Sequence, residues 1–249
     1  MEIRQIESSD LLRWAIQRYG DSFAIVTSFQ AEGMVVVDLA ARISRKVRVI
    51  TVDTGRLPEA THEMIDRVRD RYGLKLEVAM PDPDEVEGMV LRHGSNLFRD
   101  DASLRMLCCD VRKVRPLDRK LKTLSAWAVG LRRGQSASRR EIPRFAIVDG
   151  RAKLSPLADW TKRQVDEYIE EHDVPRHPLY SEGYASIGCD PCTRAVRAGE
   201  DDRAGRWWWE QNTIKECGIH FNASGKAERK VDVLLREILE PQQGLRQVG

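Results

Sequence analysis

Runs of apolar residues alternate with amphipathic stretches over the first third of the chain. Three runs are predicted to be buried strands: FAIVTS (23–28), VRVITV (47–52) and LKLEVAM (74–80). Helical periodicity precedes and separates them, at 9–19, 32–43 and 58–72. Strands that are apolar throughout and alternate with helices are typical of βαβ units, in which a parallel sheet is covered on both faces. We therefore predict an α/β fold with a Rossmann-like parallel sheet.

The second half of the chain continues this pattern and then loses it. The expected elements are a helix or two within 84–122, strands at 126–130 and 145–149, and a helix over 162–172. Thr161 and Gln164 form the capping-box pattern at the start of the last of these helices. The final stretch is polar and has one helical pattern, at 226–239. We predict one domain over 1–209 and a mobile C-terminal tail over 210–249.

Composition and charge exclude several classes of protein. With 249 residues, of which 41% are hydrophobic, the chain is large enough to bury the core of one α/β domain. A net charge of +2 gives no reason to expect a general nucleic-acid binder. No apolar run is long enough to span a bilayer, and the polar N-terminus lacks a signal-peptide pattern. We expect a cytoplasmic protein without a nucleic-acid or membrane partner, and a homo-oligomer stays possible.

Two loops follow predicted strands at the position where open parallel sheets bind ligands. The first loop, over 28–33, contributes Ser28 and Glu32, and the second, over 53–56, contributes Asp53, Thr54 and Gly55. Backbone amides and hydroxyls at the start of a helix favour anions. An ordinary strand-to-helix turn explains the same residues equally well. Neither loop has the glycine spacing of a dinucleotide-binding fold or the G-K-[ST] of a Walker A loop.

Four of the five cysteines form two close pairs, Cys108-Cys109 and Cys189-Asp190-Pro191-Cys192. Four thiolates suit a 4Fe–4S cluster or a Cys₄ zinc site equally well by number. Adjacent residues on a helix point about 100° apart, which favours a ligand wider than a single ion. A redox-active C-x-x-C and a pair of ordinary buried cysteines are the competing interpretations.

The fifth cysteine, Cys217, is distant in sequence from the other four. It lies in the polar tail, where an exposed thiol suits a nucleophile better than a core residue. Lys215 and His220 would favour its thiolate, whereas Glu216 would oppose it. An incidental surface thiol is the alternative interpretation.

Arginine and lysine residues cluster beside the cysteines and after predicted strand ends. These residues are Arg112, Lys113, Arg115, Arg132, Arg133, Arg139, Arg140, Arg203 and Arg206. Such runs usually form a solvated face, but arginine forks also bind phosphate and sulfate oxygens. Lys113 would in addition offset the negative charge of a four-thiolate cluster. The three tryptophans over 207–209 are expected to pack the tail against the domain.

Taken in order, these segments resemble the phosphoadenylyl-sulfate and adenylyl-sulfate reductases, and in particular the assimilatory adenylyl-sulfate reductases. The resemblance runs from about Phe23 to Phe221. It rests on Thr27-Ser28-Phe29 with Glu32, Asp53-Thr54-Gly55-Arg56-Leu57, Cys108-Cys109 with Arg112-Lys113, Gly130-Leu131-Arg132-Arg133 with Gln135-Ser136, Pro156-Leu157-Ala158-Asp159-Trp160, Ser186 through Thr193, Arg203 with Arg206, and Glu216-Cys217-Gly218-Ile219-His220.

The resemblance implies a fold of the adenine nucleotide α-hydrolase type and an enzyme that reduces adenylyl sulfate to sulfite and AMP. It implies one 4Fe–4S cluster, and its metal ligands would be Cys108, Cys109, Cys189 and Cys192. Cys217 would be the catalytic nucleophile, which forms an S-sulfocysteine that thioredoxin or glutaredoxin resolves. The implied substrate ligands are Ser28, Glu32, Asp53, Thr54, Gly55, Lys113, Arg132, Arg133, Arg203, Arg206 and His220.

Alternatives stay open beside this reading. A phosphoadenylyl-sulfate reductase or a dual-substrate enzyme is the nearest, and a tRNA-thiolation enzyme or a zinc-binding interaction module is more remote. The first loop also departs from the family pattern S-F-G-x-E-D, because Gln30 replaces a glycine and Gly33 replaces an acid. If residue 30 needed a positive φ, glutamine there would be strained.

Overall fold

A six-stranded sheet organises the protein in a computed structural model that describes residues 6–136 and 139–210. The strands are β1 (Phe23–Val26), β2 (Arg48–Val52), β3 (Lys75–Ala79), β4 (Ala126–Val129), β5 (Phe145–Val148) and β6 (Arg151–Leu154). They lie side by side in the order β3-β2-β1-β4-β6-β5. Every neighbouring pair is parallel except β5 with β6. The predicted α/β fold with a mostly parallel sheet is confirmed.

Seven α-helices surround the sheet in the described part of the chain. They are α1 (Ser8–Tyr19), α2 (Ala31–Ile43), α3 (Glu59–Tyr72), α4 (Pro83–His93), α5 (Ala102–Cys109), α6 (Arg115–Leu121) and α7 (Lys162–Glu171). The capping box predicted at Thr161 and Gln164 is formed at the start of α7. The proposed tail over 210–249 lies outside the described residues, apart from Glu210.

The edge of the sheet differs from the sequence prediction in one respect. The run at 145–149 was expected to join a parallel sheet, but β5 is antiparallel and pairs with the unpredicted strand β6. Asp149 and Gly150 join the two strands and both have positive φ, 48° and 75°. Two consecutive residues with positive φ form the type I′ turn that an Asp-Gly pair favours in hairpins. The Asp-Gly pair was the signal for this hairpin.

The central strand β1 sends alternate side chains to opposite faces of the sheet, as the strand period of two requires. Phe23 and Ile25 pack into a large apolar cluster to which α1, α2, α3 and α7 contribute. Ala24 packs on the opposite face with Trp127 of β4 and Leu117 of α6. Both faces of the sheet are therefore covered.

A buried carboxylate joins three of the covering helices. Asp38 of α2 accepts hydrogen bonds from the Tyr72 hydroxyl of α3 at 3.1 Å and from the Tyr168 hydroxyl of α7 at 2.7 Å. Arg42 Nε donates to the same carboxylate at 2.6 Å. Burial, together with the negative Asp38, raises the pKa of both phenols, so each stays protonated as a donor.

His177 fastens the 3₁₀ turn Pro178–Glu182 to α3. Its Nδ1 accepts from the Leu179 amide at 3.3 Å, so its Nε2 carries the proton and donates to Thr61 Oγ1 at 3.0 Å. Burial, with a smaller contribution from Arg67, lowers the pKa of His177 to about 4 from 6.5. Between about pH 6.5 and pH 4, His177 is therefore neutral in the folded protein but protonated in the unfolded chain.

This imidazole predicts a pH dependence of stability. Below pH 6.5 the unfolded chain binds a proton at His177, whereas the folded protein binds it only near pH 4. The unfolding free energy therefore falls as the pH falls through this window. From pH 7.5 to 5.5 we expect His177 to cost about 1.3 kcal/mol of unfolding free energy, measured by urea titration.

The variant His177→Gln keeps a donor toward Thr61 but cannot titrate, and we expect it to lose this increment. His172→Gln, at the end of α7, is the control and should retain it. An equal pH dependence in wild-type and His177→Gln would contradict the assignment.

Candidate functional site

The loops that follow β1, β2 and β4 meet at one edge of the sheet, where the carboxyl ends of the parallel strands lie. The contact between the first turn of α2 and the loop after β4 is very close. A Cβ atom added to Gly130 would lie 2.5 Å from the Gly33 nitrogen and 2.8 Å from the Glu32 carbonyl oxygen. Only glycine at 130 allows the two backbones to approach this closely.

The loop after β1 places its backbone strain on Phe29 rather than on Gln30. Phe29 is fully buried with φ of 56°, and its amide donates to Thr27 Oγ1 at 3.0 Å. Gln30 has φ of −75°, so the strain considered for it does not arise. A Cβ at Gly33 would lie 2.3 Å from Thr27 Oγ1, so the acid of the family pattern would not fit without a shift of Thr27.

The polar groups of the loop after β1 mostly have hydrogen-bond partners within the protein. The Ala31 amide, at the start of α2, donates to the Tyr180 hydroxyl at 3.1 Å. Burial raises the pKa of Tyr180 to about 12, so the phenol stays neutral. The Ser28 hydroxyl is exposed and accepts a hydrogen bond from Gln30 Nε2 at 2.9 Å. Of these groups, Ser28 is the one that faces solvent.

Glu32 and Arg132, both predicted substrate ligands, pair with each other. Nε and Nη2 of Arg132 each lie 2.8 Å from Glu32 Oε1, and the side chains are 7% and 14% exposed. Arg133 donates to the Ile142 carbonyl at 3.0 Å and pairs with Asp159. A cleft of about 450 Å³ runs beside them, lined by Arg132, Arg133, Gly134, Ala158, Asp159, Trp160, Thr161 and Lys162. Substrate binding by these residues stays a prediction.

The loop after β2 is built around Asp53. One carboxylate oxygen accepts from the Gly55 amide at 2.8 Å, and the other lies 3.2 Å from His62 Nε2. Gly55 has φ of 69°, which glycine adopts without strain. His62, one of the α3 residues, was not singled out from the sequence.

The same loop contacts both segments that carry cysteine pairs. Thr54 Oγ1 lies 3.2 Å from the Cys189 sulfur, and the Thr54 carbonyl accepts from Arg112 at 2.9 Å. The Arg56 carbonyl accepts from the Asp190 amide at 2.8 Å. Three contacts from one short turn thus hold the cysteine segments beside the proposed ligand loops.

The four paired cysteines meet in one apolar cluster. Cys108 and Cys109 end α5, which continues into a π-helical turn over Asp110–Val114. Cys189 precedes the 3₁₀ turn Asp190–Cys192, which Cys192 ends. Leu107, Phe98 and Trp207 pack around the four side chains. Within the described ranges, no group of three or more His, Cys, Asp or Glu side chains is placed to hold a single metal ion.

Arginines moderate the electrostatics of this cluster. Burial raises the pKa of the Cys108 thiol, and the neighbouring Cys189 adds to the rise, whereas Arg112 and Arg56 oppose it. Arg112 also reaches Thr54, as described above. Lys113, predicted to be the cation beside the cysteines, is half-buried in the π-helical turn. It has no hydrogen-bond or ion-pair partner among the residues that the structure describes.

Arg206 supports the backbone that leads into Cys189. Its guanidinium contacts the Ile187 carbonyl at 3.4 Å, and a Cβ at Gly188 would lie 2.3 Å from it. Trp207 has Arg206 over its ring at 4.6 Å and Arg105 at 4.4 Å. Arg105 pairs in turn with Glu210 at 2.5 Å, and Trp207 is buried against the domain whereas Trp208 is exposed.

The remaining predicted site residues are placed less tightly. Arg203 is half-buried, and its amide donates to Asp201 at 2.8 Å. Cys217 and His220 lie outside the described residues, so the predicted nucleophile has no position here. None of the helices in the described residues is long and apolar enough to cross a bilayer.

Comparison with known proteins gives a family and named relatives for this chain. A family model described as the phosphoadenosine phosphosulfate reductase domain matches residues 22–195. Adenosine 5′-phosphosulfate reductase of Allochromatium vinosum is 46% identical over 202 residues, covering 80% of this chain and 79% of that protein. The Burkholderia cepacia protein of the same name is 44% identical over 219 residues, covering 87% and 88%.

Solved structures give the fold independently. Phosphoadenylyl-sulfate reductase from Candida auris, in a phosphate complex, superposes with a TM-score of 0.66 at 26% identity, covering 78% of this chain and 93% of that one. An FMN adenylyltransferase of Candida glabrata has a TM-score of 0.53 at 13% identity, covering 94% and 82%. The latter supports the fold alone.

The close contact at Gly130 yields a stability test. We expect Gly130→Ala to lower the unfolding free energy by at least about 2 kcal/mol, because the added methyl meets backbone atoms that cannot rotate away. Gly88→Ala is the matched control, since Gly88 lies in α4 with nothing within 4 Å of an added Cβ. It should be neutral or stabilising by up to about 1 kcal/mol in the same urea titration. Equal effects of the two changes would refute the packing argument.

Proposed function

Because this chain belongs to the phosphoadenosine phosphosulfate reductase family, we propose that it reduces adenylyl sulfate to sulfite and AMP. The observation that carries the proposal is the gathering of Cys108, Cys109, Cys189 and Cys192 beside the loops after β1 and β2. Relatives named adenosine 5′-phosphosulfate reductase, at 46% and 44% identity over most of the chain, support this substrate.

The four cysteines are proposed to hold one 4Fe–4S cluster. Their apolar surroundings would exclude water, and four thiolates supply the ligand number that such a cluster requires. Two arginines nearby would offset its negative charge. When bound, the cluster would supply a fixed charge that polarises the site. Four thiolates would also suit a zinc ion by number, and the metal content of the purified protein separates the two assignments.

The substrate is proposed to lie across the carboxyl edge of the sheet. The adenosine would contact the loops of Ser28 and Asp53, where the Ser28 hydroxyl is exposed to solvent. Lys113 is the proposed cation for the phosphosulfate, because it lies in the turn that follows the paired cysteines and its ammonium has no ion-pair partner within the described residues. Arg133 and Arg203 would complete the cationic surface, and the Glu32–Arg132 pair would shape it.

Cys217 is proposed as the nucleophile. Its thiolate would attack the sulfur of adenylyl sulfate, forming the S–S bond of an S-sulfocysteine as the bond from sulfur to the phosphate oxygen breaks and AMP leaves. Positive side chains would stabilise the charge that develops on the phosphate. A dithiol such as thioredoxin or glutaredoxin would then attack the Cys217 sulfur, release sulfite and leave as a disulfide, supplying two electrons.

Phosphoadenylyl-sulfate is the second candidate substrate, since the Candida auris reductase that shares this fold is named for it. We expect the purified protein with thioredoxin to produce sulfite from adenylyl sulfate at a higher kcat/KM than from phosphoadenylyl-sulfate. The reverse order would move the assignment to the second candidate. No sulfite from either nucleotide would reject the proposed function.

The nucleophile is tested by Cys217→Ser. We expect it to lose all turnover, because serine is not a thiolate nucleophile at neutral pH. With labelled adenylyl sulfate and no reductant, wild-type protein should carry the label on the peptide that contains Cys217, detected by mass spectrometry. Label on another cysteine, or sulfite production by Cys217→Ser at the normal rate, would show that the nucleophile lies elsewhere.

The cluster has its own test in iron content. Protein purified without oxygen should contain about four iron atoms per chain and have a brown colour. We expect Cys192→Ser to lose iron, whereas Cys217→Ser, the same chemical change at the fifth cysteine, should keep it. A colourless protein that contains zinc would overturn the cluster assignment.

A further inference from the structure

We propose that Gln30 is a positioning residue that joins the loop of Ser28 to the backbone ahead of Cys189. Its carboxamide makes two hydrogen bonds in opposite directions. Nε2 donates to Ser28 Oγ at 2.9 Å, and Oε1 accepts from the Ile187 amide at 2.9 Å. The two partners are separated by more than 150 residues in sequence, yet one planar group contacts both.

The Ile187 end fixes the approach to the C-x-x-C segment. The Ile187 side chain is buried, and side chains bind both polar groups of its backbone: Gln30 takes the amide, and Arg206 contacts the carbonyl at 3.4 Å. Gly188 then packs under the Arg206 guanidinium, and Cys189 follows. Outside regular secondary structure, a backbone amide depends on such a partner. Without the Gln30 carboxamide, this one loses its acceptor.

The Ser28 end orients a hydroxyl. Because Ser28 Oγ accepts a hydrogen bond from Gln30, its own hydrogen is available to donate away from the loop. Ser28 is exposed, so this hydrogen faces solvent in the free protein, and a ligand oxygen placed there would accept it. This step rests on the proposed function, in which a nucleotide phosphate occupies that position. Gln30 would then transmit ligand contact at Ser28 to the position of Cys189.

The test measures amide exchange and nucleotide binding separately. Hydrogen–deuterium exchange, resolved at Ile187 by fragmentation, reports the hydrogen bond from the Ile187 amide to Gln30. Calorimetric titration with AMP reports the effect of the hydrogen bond between Gln30 and Ser28. In Gln30→Met we expect Ile187 to exchange about fivefold to tenfold faster and AMP to bind several-fold more weakly, as the loss of about one net hydrogen bond at each end predicts.

Two further variants separate positioning from general destabilisation. Gln30→Glu keeps the acceptor for the Ile187 amide and adds a negative charge near the phosphate site. It should therefore restore slow exchange at Ile187 while still weakening AMP binding. Gln164→Met makes the same chemical change at the capping box of α7, where the carboxamide also forms hydrogen bonds. It should alter neither readout.

The outcomes distinguish this inference from the function on which it rests. Wild-type exchange at Ile187 together with wild-type affinity for AMP in Gln30→Met would overturn the positioning role, as would failure of Gln30→Glu to restore protection. The proposed function fails instead if wild-type protein makes no sulfite. That result is obtained in a separate assay and leaves the Ile187 measurement interpretable.

Discussion

The backbone of one turn, from Thr54 to Arg56, is the contact on which the candidate site depends. It lies at the carboxyl end of β2 and is stiffened by the Asp53 carboxylate. The carbonyl groups of Thr54 and Arg56 accept hydrogen bonds from Arg112 and Asp190, which belong to the two cysteine segments. Because the turn is part of the sheet edge, it fixes both segments relative to the loop after β1. Chemistry on a sulfur atom needs such a fixed arrangement, since reactive groups gain most when geometry is set beforehand.

Charge balance is the second requirement of this arrangement. Burial in the apolar cluster disfavours the ionised form of Cys108, whose pKa is raised. Arg112 and Arg56 reduce that cost at the Cys108 thiol, and Arg105 and Arg206 lie over the ring of Trp207, which packs in the same cluster. The arginines that were predicted to surround a substrate therefore divide into two groups. Arg206 supports the cysteine segment, whereas Arg133 lines the open cleft.

Much of the fold followed from apolar runs and cap residues, because β1 to β4 and the helices between them are specified by local patterns. The hairpin of β5 and β6 was missed because a four-residue strand with lysine and arginine lacks the apolar run of a buried strand. The gathering of the cysteines was foreseen from their number. The pairing of Glu32 with Arg132 was not, because an ion pair across 100 residues depends on how the loops pack. The contact of Arg112 with the Thr54 carbonyl was not foreseen either, because it joins segments 58 residues apart in sequence.

The two departures of the first loop from its family pattern have a common physical basis. Thr27 lies so close beneath α2 that residue 33 tolerates no side chain in this arrangement, which accounts for glycine where an acid is usual. The positive φ of the loop falls on buried Phe29, so residue 30 keeps an ordinary extended backbone and carries a side chain without strain. A glycine there would leave the Ile187 amide without the acceptor that Gln30 provides. The substitution therefore exchanges backbone freedom for a contact between the ligand loop and the cysteine segment.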